Sequence, residues 1–299
     1  MWVELALLSA LLLGLYDVAK KWSVQKNAVL PVLFYASVAG FLAVLPLVFL
    51  SFVFPESMES IGLRVGLLTF REHVLVFAKA LLVATSWICV YFAMKHLPIS
   101  IVSPIRSSAP VWTVLGAVVL FAERLSSFQW LGIGVTFGAY YVFSVIGKAE
   151  DIRFQNNRFV LLAFVATITG AMSSLYDKAL LQRVQIPPGT LQVWFSLYLV
   201  VVFGAVMFFF RKAIRRGTPF AWRWSIPLIG VLLIAADMLY FRALATDGAL
   251  VSVVSVVRRS SVVVAFLLGG VLFKEKFKRW KAIPLTGVLA GVILMLFRG

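Results

Sequence analysis

One cysteine, Cys89, and two histidines, His73 and His96, are all that this 299-residue chain offers of the soft metal ligands and redox groups. A lone cysteine inside an apolar run excludes a disulfide framework and a cysteine-based metal cluster. Neither histidine stands in an HExxH pattern, and no glycine-rich loop ends in Lys-Ser or Lys-Thr. Metal hydrolysis and ATP-driven work within this chain therefore have no residues to carry them. No cofactor, no metal site and no catalytic residue is expected. Acid is scarce too: 12 Asp and Glu stand against 28 Lys and Arg, and charge of both signs makes up 13% of the chain. A soluble domain carries about a quarter.

What fills the space is apolar. Hydrophobic residues make up 62% of the chain and the mean hydropathy is +0.99, so membrane spans are expected to be the whole architecture. The formal charge of +16 lies between apolar runs, which fits loops facing an anionic leaflet; there is no basic domain to hold nucleic acid. Met1 to Leu15 is as hydrophobic as a signal peptide, but has no basic start and no small-residue cleavage site, and is expected to be a helix of the mature protein. Ten runs are long enough to cross about 30 Å of hydrocarbon. They lie near Val3–Trp22, Pro31–Phe54, Val74–Lys95, Ile99–Phe121, Phe128–Ile146, Phe159–Leu181, Thr190–Phe210, Trp224–Ala245, Ala249–Phe273 and Ile283–Phe297. Pro55 to Glu72 mixes charge with Ile61, Leu63, Leu67 and Leu68 and reads as an interfacial amphipathic segment.

Ser103 to Leu125, SPIRSSAPVWTVLGAVVLFAERL, recurs as Ser255 to Phe277, SVVRRSSVVVAFLLGGVLFKEKF, at an offset of 152, with nine of 23 positions identical. Two unrelated apolar helices match at roughly two or three, so the chain carries an internal duplication. Leu15-Tyr16-Asp17 recurs as Leu175-Tyr176-Asp177, Tyr91-Phe92 as Tyr240-Phe241, and the Gly134/Gly138 pair as Gly287/Gly291. Each half holds five helices: residues 1–147 and 159–299, joined by 148–158. Five is odd, so the second half is expected to lie inverted in the membrane. The loop charges agree. Odd-numbered loops hold most of the basic residues, from Lys20, Lys21 and Lys26 to Lys274, Lys276, Lys278, Arg279 and Lys281, whereas the loop after the first copy has Arg124 offset by Glu123. The basic loops belong in the cytoplasm, which leaves both termini outside.

The run LPISIVSPIRSSAPVWTVLGAVVLFAERLSSFQWLGIGVTFGAYYVF resembles the signature block of EamA-type members of the drug/metabolite transporter superfamily. Glu123-Arg124 and Glu275-Lys276 fill the block's acidic-basic pair, and the two blocks cover well over half the chain. The resemblance implies an all-α polytopic protein of the inner membrane, with ten transmembrane helices in two inverted five-helix repeats around a central cavity. It also implies an exporter or exchanger of small metabolites. It does not fix the substrate, since members handle amino acids, aromatic compounds, nucleotide sugars and sugar phosphates. An arginine at positions 106, 258 and 259 is not part of the general block.

Arg106 lies about 7 residues, or roughly 10 Å, into the fourth helix, and Arg258 and Arg259 lie deeper in the ninth. An arginine there costs about 2.5–3.5 kcal/mol on insertion scales, so each needs a protein or water-filled environment and a partner. Two readings stand. In the first, the arginines converge from the two halves and grip a small anionic solute, helped by Ser107, Ser108, Ser260 and Ser261. In the second, they are permanently paired with Asp17, Asp177 or Asp237, as in a non-transporting scaffold. Asp237 is mid-helix and is expected to pair with Arg258 or Arg259. Asp17, with Lys20 and Lys21 a turn later, and Asp177, followed by Lys178, are either coupling sites that take up a proton or interfacial Asp-Lys pairs. Lys79, five residues into the third helix, is expected to reach the interface. Trp87, Tyr91, Trp112, Tyr240 and Trp194 either line the cavity or serve as packing and belt residues. Pro104 and Pro110 bracket Arg106 and are expected to kink its helix. A lipid-linked anion entering sideways is a further substrate class. A monomer is compatible with all of this.

Overall fold

The computed structural model describes residues 2–60, 63–97, 102, 105–106, 108–147, 157–261, 263–264, 268 and 282–296. All regular structure among them is helical. The first half contributes α1 (Trp2–Val24), α2 (Val29–Val53), a short α3 (Pro55–Ser60), α4 (Phe70–His96), α5 (Ala109–Phe121) and α6 (Ser127–Gly147). The second contributes α7 (Arg158–Lys178), the π-helical turn Ala179–Arg183, α8 (Pro188–Phe209), a short α9 (Arg211–Arg216), α10 (Ser225–Ala245), α11 (Val251–Arg259) and α12 (Ala282–Leu296). Six of these, α1, α2, α4, α7 with its π-turn, α8 and α10, are long and apolar enough to cross a membrane; α5 and Thr286–Met295 of α12 are shorter apolar helices. The chain is thus a multi-pass membrane protein. Ser103, Pro104, Ser107 and the Glu275-Lys276 pair lie outside the described residues.

Local chemistry sets several helix ends. α4 opens four residues earlier than its apolar run because Thr69 and Glu72 form a capping box: the Thr69 hydroxyl accepts from the Glu72 N–H, and the Glu72 carboxylate accepts from the Thr69 N–H at 2.7 Å. The segment after α3 is not one amphipathic helix. Residues 63–69 have no helical structure and bind the start of α8, with the Gly66 N–H donating to Thr190 Oγ1 at 2.9 Å and Trp194 Nε1 donating to the Gly66 carbonyl at 3.2 Å. Asn27, wholly buried after α1, donates to the carbonyls of Ser23 and Ala221 and accepts from the N–H groups of Ala28 and Ala221. Its four bonds tie the first loop to the segment before α10.

The extensive helix packing runs between halves: α1 on α10, α6 on α12, α4 on α7, and α2 on both α10 and α8. One apolar core draws on all of them, including Ile133 of α6 and Val292 and Met295 of α12, while Phe52, Leu67, Phe70, Val119 and Trp224 stand almost fully exposed where lipid or headgroups surround a spanning bundle.

Glycine makes the closest crossings possible, though not where the GxxxG spacing in the fifth span suggests. Among the described residues, nothing lies within 4 Å of a Cβ placed on Gly134 or Gly138. The contact with α12 is made by Gly132, Thr136 and Ala139, which face Gly291 and Gly287. A Cβ on Gly132 would meet the Gly291 carbonyl at 2.6 Å. Where α10 crosses α2, a Cβ on Gly230 would lie 2.1 Å from the Ala36 carbonyl oxygen and 2.6 Å from the Gly40 nitrogen. Backbone cannot yield there as a side chain can. Gly230→Ala is expected to destabilise by roughly 1–3 kcal/mol and to lower the thermal unfolding midpoint in detergent, whereas Gly134→Ala stays within about 1 kcal/mol of wild type. Equal midpoints for the two variants would contradict this packing.

Candidate functional site

The two helical segments that bear the arginines turn at matching positions. Ser108 has helical dihedrals with a flattened ψ of -11°, its N–H donates to the Ile105 carbonyl at 3.2 Å, and its own carbonyl accepts from Val111 N–H at 3.0 Å. Ser260 has a ψ of -10°, its N–H donates to the Val257 carbonyl at 3.0 Å, and its carbonyl accepts from Val263 N–H at 2.9 Å. Each of these bonds maps onto the other at the offset of 152 found in the sequence. The duplication is therefore reproduced in backbone hydrogen bonding, as a tight i to i−3 turn two residues after Arg106 and after Arg258. In the first copy α5 starts afresh at Ala109, with Pro110 in its first turn, where its missing N–H costs nothing. The expected kink is a break between two helical pieces.

Behind these turns lies a cavity of about 170 Å³ bounded by α1, α4, α5, α7, α8, α10 and α11. Its wall contains Arg106, Arg258, Arg259, Asp17, Asp177, Asp237, Trp87, Tyr91 and Tyr240. Ser261 is also there. Ser108 and Ser260 are not: they occupy the turns, and the Ser108 hydroxyl donates to its own Ile105 carbonyl at 2.7 Å. Trp112 is 46% exposed on α5, away from the cavity, and Trp194 sits against His73 and Gly66 at the start of α8. Small hydroxyls at Ser86, Thr113, Ser173, Ser174 and Ser255 complete the polar wall. Sequence reasoning passed over them because serine and threonine in apolar helices have no spacing that distinguishes a wall from a packing face.

Three cations of the wall are neutralised in the same way, by one carboxylate and one or two aromatic faces. Arg258 pairs with Asp237 as expected, and its guanidinium carbon lies 4.1 Å from the centroid of Tyr240. Lys20 pairs with Asp17 one turn away and lies 4.6 Å from the Tyr16 ring and 5.7 Å from Tyr91. The Tyr16 and Tyr91 hydroxyls share a 3.3 Å hydrogen bond. Lys79 departs from expectation. It does not reach the interface; it is 2% exposed, pairs with Asp177, and lies 4.1 Å and 4.9 Å from the rings of Phe195 and Phe241. Asp177 is thus not joined to its neighbour Lys178, which turns to Glu123. Cation–π contact of a desolvated ammonium contributes about 2 kcal/mol and helps offset the loss of water.

Arg106 is bound differently. Its Nη1 donates to the Ala166 carbonyl at 3.3 Å, an oxygen that also accepts from Ser86 at 2.8 Å, and no carboxylate pairs with it among the described residues. One further polar atom at the wall, Arg258 Nε, is buried with no hydrogen-bond partner among the described residues. Counting the wall, five cations, Lys20, Lys79, Arg106, Arg258 and Arg259, meet three carboxylates. Among the described residues no cluster of three His, Cys, Asp or Glu side chains has the geometry to hold a metal ion.

Comparison with known proteins agrees with this architecture. The sequence model of the EamA-like transporter family matches residues 1–145 and, a second time, residues 157–297. A crystal structure described only as that of a protein superposes with a TM-score of 0.73 over 98% of this chain and 97% of its own, at 17% identity, a likeness of fold alone. No curated protein matches.

The Lys79–Asp177 pair gives a stability test. Removing one partner of a buried pair leaves an uncompensated charge and costs about 3–5 kcal/mol. Lys79→Met and Asp177→Asn are each expected to lower the unfolding midpoint strongly, and the double variant to recover much of that loss. Additive losses in the double variant would show that the two groups do not depend on each other.

Proposed function

Because the chain belongs to the EamA-like transporter family, we propose that it is a secondary transporter, an exporter or exchanger, that carries a small anionic metabolite across the inner membrane by alternating access. The observation that carries this reading is the charge of the cavity: five cations against three carboxylates, with Arg106 held only by a backbone carbonyl among the described residues. A site with excess positive charge in a low-dielectric surround attracts an anion, and guanidinium groups grip carboxylate or phosphate bidentately. Arg258 Nε supplies a donor that nothing else uses among the described residues.

The matching breaks at Ser108 and Ser260 support two five-helix repeats, ten spans in all, with the second inverted relative to the first. Broken helices flanking the substrate site are the usual consequence of that arrangement. In the proposed cycle Arg106 takes the anion first. Arg258 then exchanges Asp237 for it, and the repeats rock about the filled site with both termini outside. Binding is favourable to the extent that the anion outcompetes Asp237. A scaffold with permanently paired arginines accounts for Arg258 and leaves the charge of Arg106 without a role.

A thermal-shift screen in detergent tests the reading. Inorganic phosphate, sulfate and short dicarboxylates are compared with neutral polyols of similar size. At least one anion is expected to stabilise the protein, by about 2.7 kcal/mol at a hundredfold excess over its Kd. Arg106→Gln and Arg258→Gln abolish the response, and Asp237→Asn strengthens it, because Arg258 no longer has a counterion to release. The anion site is lost if no anion stabilises the wild type, or if both arginine variants respond as the wild type does.

A further inference from the structure

Beyond the cavity, the end of α5 is tied to the start of α11 by one buried carboxylate. Ala122, which follows α5, adopts the left-handed conformation with φ 50° and ψ 37°. That turn sends Glu123 back into the bundle, where its side chain is 2% exposed. Its Oε1 accepts from Lys178 Nζ at 2.5 Å and from the Val251 N–H at 2.8 Å. Its Oε2 accepts from the Ser252 N–H at 3.3 Å and from the Ser252 hydroxyl. Lys178 Nζ also donates to the Ala249 carbonyl at 3.3 Å. One carboxylate from the first half thus satisfies the free N–H groups that open a helix of the second half, where the helix dipole favours negative charge, and neutralises the last residue of α7. Val251 and Ser252 are wholly buried and Lys178 nearly so.

This knot adjoins the cavity. Ser255 lines the wall and lies three residues, or about 5 Å, further along α11 than Ser252. Asp177, which lines the wall and is held by Lys79, is the immediate neighbour of Lys178. The helix changes to π winding directly after Lys178, with the Val184 N–H donating to the Ala179 carbonyl at 3.0 Å. Single π-turns of this kind inside α-helices occur frequently at functional sites.

We propose that Glu123 is a gate residue of the transport cycle: its bonds to Lys178, Val251 and Ser252 close the cavity toward the membrane face where α5 ends and α11 begins, and they break when the cavity opens there. The assignment rests on the alternating-access reading, but not on any substrate.

The test is side-specific labelling. In a Cys89→Ser background, Ser255→Cys places a thiol on the cavity wall, and a membrane-impermeant maleimide is added to sealed vesicles of each orientation. With Glu123 in place, labelling from the gate face is slow. Glu123→Ala is expected to raise that rate at least about tenfold and to lower the rate from the opposite face, as a shift of the two-state equilibrium requires. Ser252→Ala, which removes one donor and spares the fold, moves both rates in the same directions by a smaller factor. If neither variant changes either rate, or if both faces speed up together, Glu123 is not a gate. Labelling needs no ligand, so this outcome is distinct from a failure of the anion screen.

Discussion

A charge carried into hydrocarbon must be matched where it stands, and most of the interior of this protein follows from that constraint. An unpaired arginine or lysine at mid-helix costs about 2.5–3.5 kcal/mol on insertion scales, a sizeable part of what holds a domain together. Lys79, Lys178 and Arg258 each meet a carboxylate on another element: Asp177 on α7, Glu123 after α5 and Asp237 on α10. Two of those three pairs cross between the halves. The groups too costly to leave alone are therefore also ties between the repeats, and α7, which carries Asp177 and Lys178 side by side, takes part in both.

Pairing of this kind does not make a rigid block. A buried ion pair is weak as net stabilisation, because desolvation offsets most of its Coulomb energy, yet it is strongly specific, because losing one partner is expensive. Under the alternating-access reading proposed above, such contacts suit a protein that exchanges one set for another. They hold each arrangement firmly against small distortion while leaving a modest free-energy difference between arrangements that are each fully paired.

The six long apolar helices, the duplication, the arginines and the Arg258–Asp237 pair were legible in the sequence because each is a local or periodic signal. The depth of Lys79 was not legible from its apolar run alone. Its apolar run starts at Val74, but the capping box of Thr69 and Glu72 starts α4 at Phe70, so Lys79 lies a full turn deeper. The Thr-x-x-Glu pattern stood in the sequence and, weighed properly, would have buried Lys79. The partners of Glu123 and Asp177 were not legible at all. They lie 128 and 98 residues away, and no local pattern connects a glutamate at one helix end with the first N–H groups of a helix in the other half. Of the two GxxxG pairs, Gly287 and Gly291 of α12 make the close contact and Gly134 and Gly138 of α6 do not: the spacing gives a smooth face without saying which way it turns, and α6 uses Gly132, Thr136 and Ala139 instead.

The departures from symmetry show how the site divides its labour. Arg106 and Arg258 occupy equivalent places after the duplication, and the turns beside them are the same. Their surroundings are not. At the offset of 149 that relates Tyr91 to Tyr240, the residue equivalent to Asp237 is Ile88, so the first copy has no acid to hold Arg106. Lys79 has Leu228 at its equivalent position, so the second copy has no such lysine. Asp17 has Lys20 a turn away, but Asp177 has Leu180 there and takes Lys79 from the other half. Each copy thus carries ionisable groups the other lacks, and Lys79, Lys20 and Asp237 among them are each held in a pair. What remains unspent is on the side of Arg106. Under the anion-transport reading proposed above, two equal halves would hold an anion equally from both, whereas Arg106, without a paired carboxylate among the described residues, and Arg258, paired with Asp237, would hold it unequally.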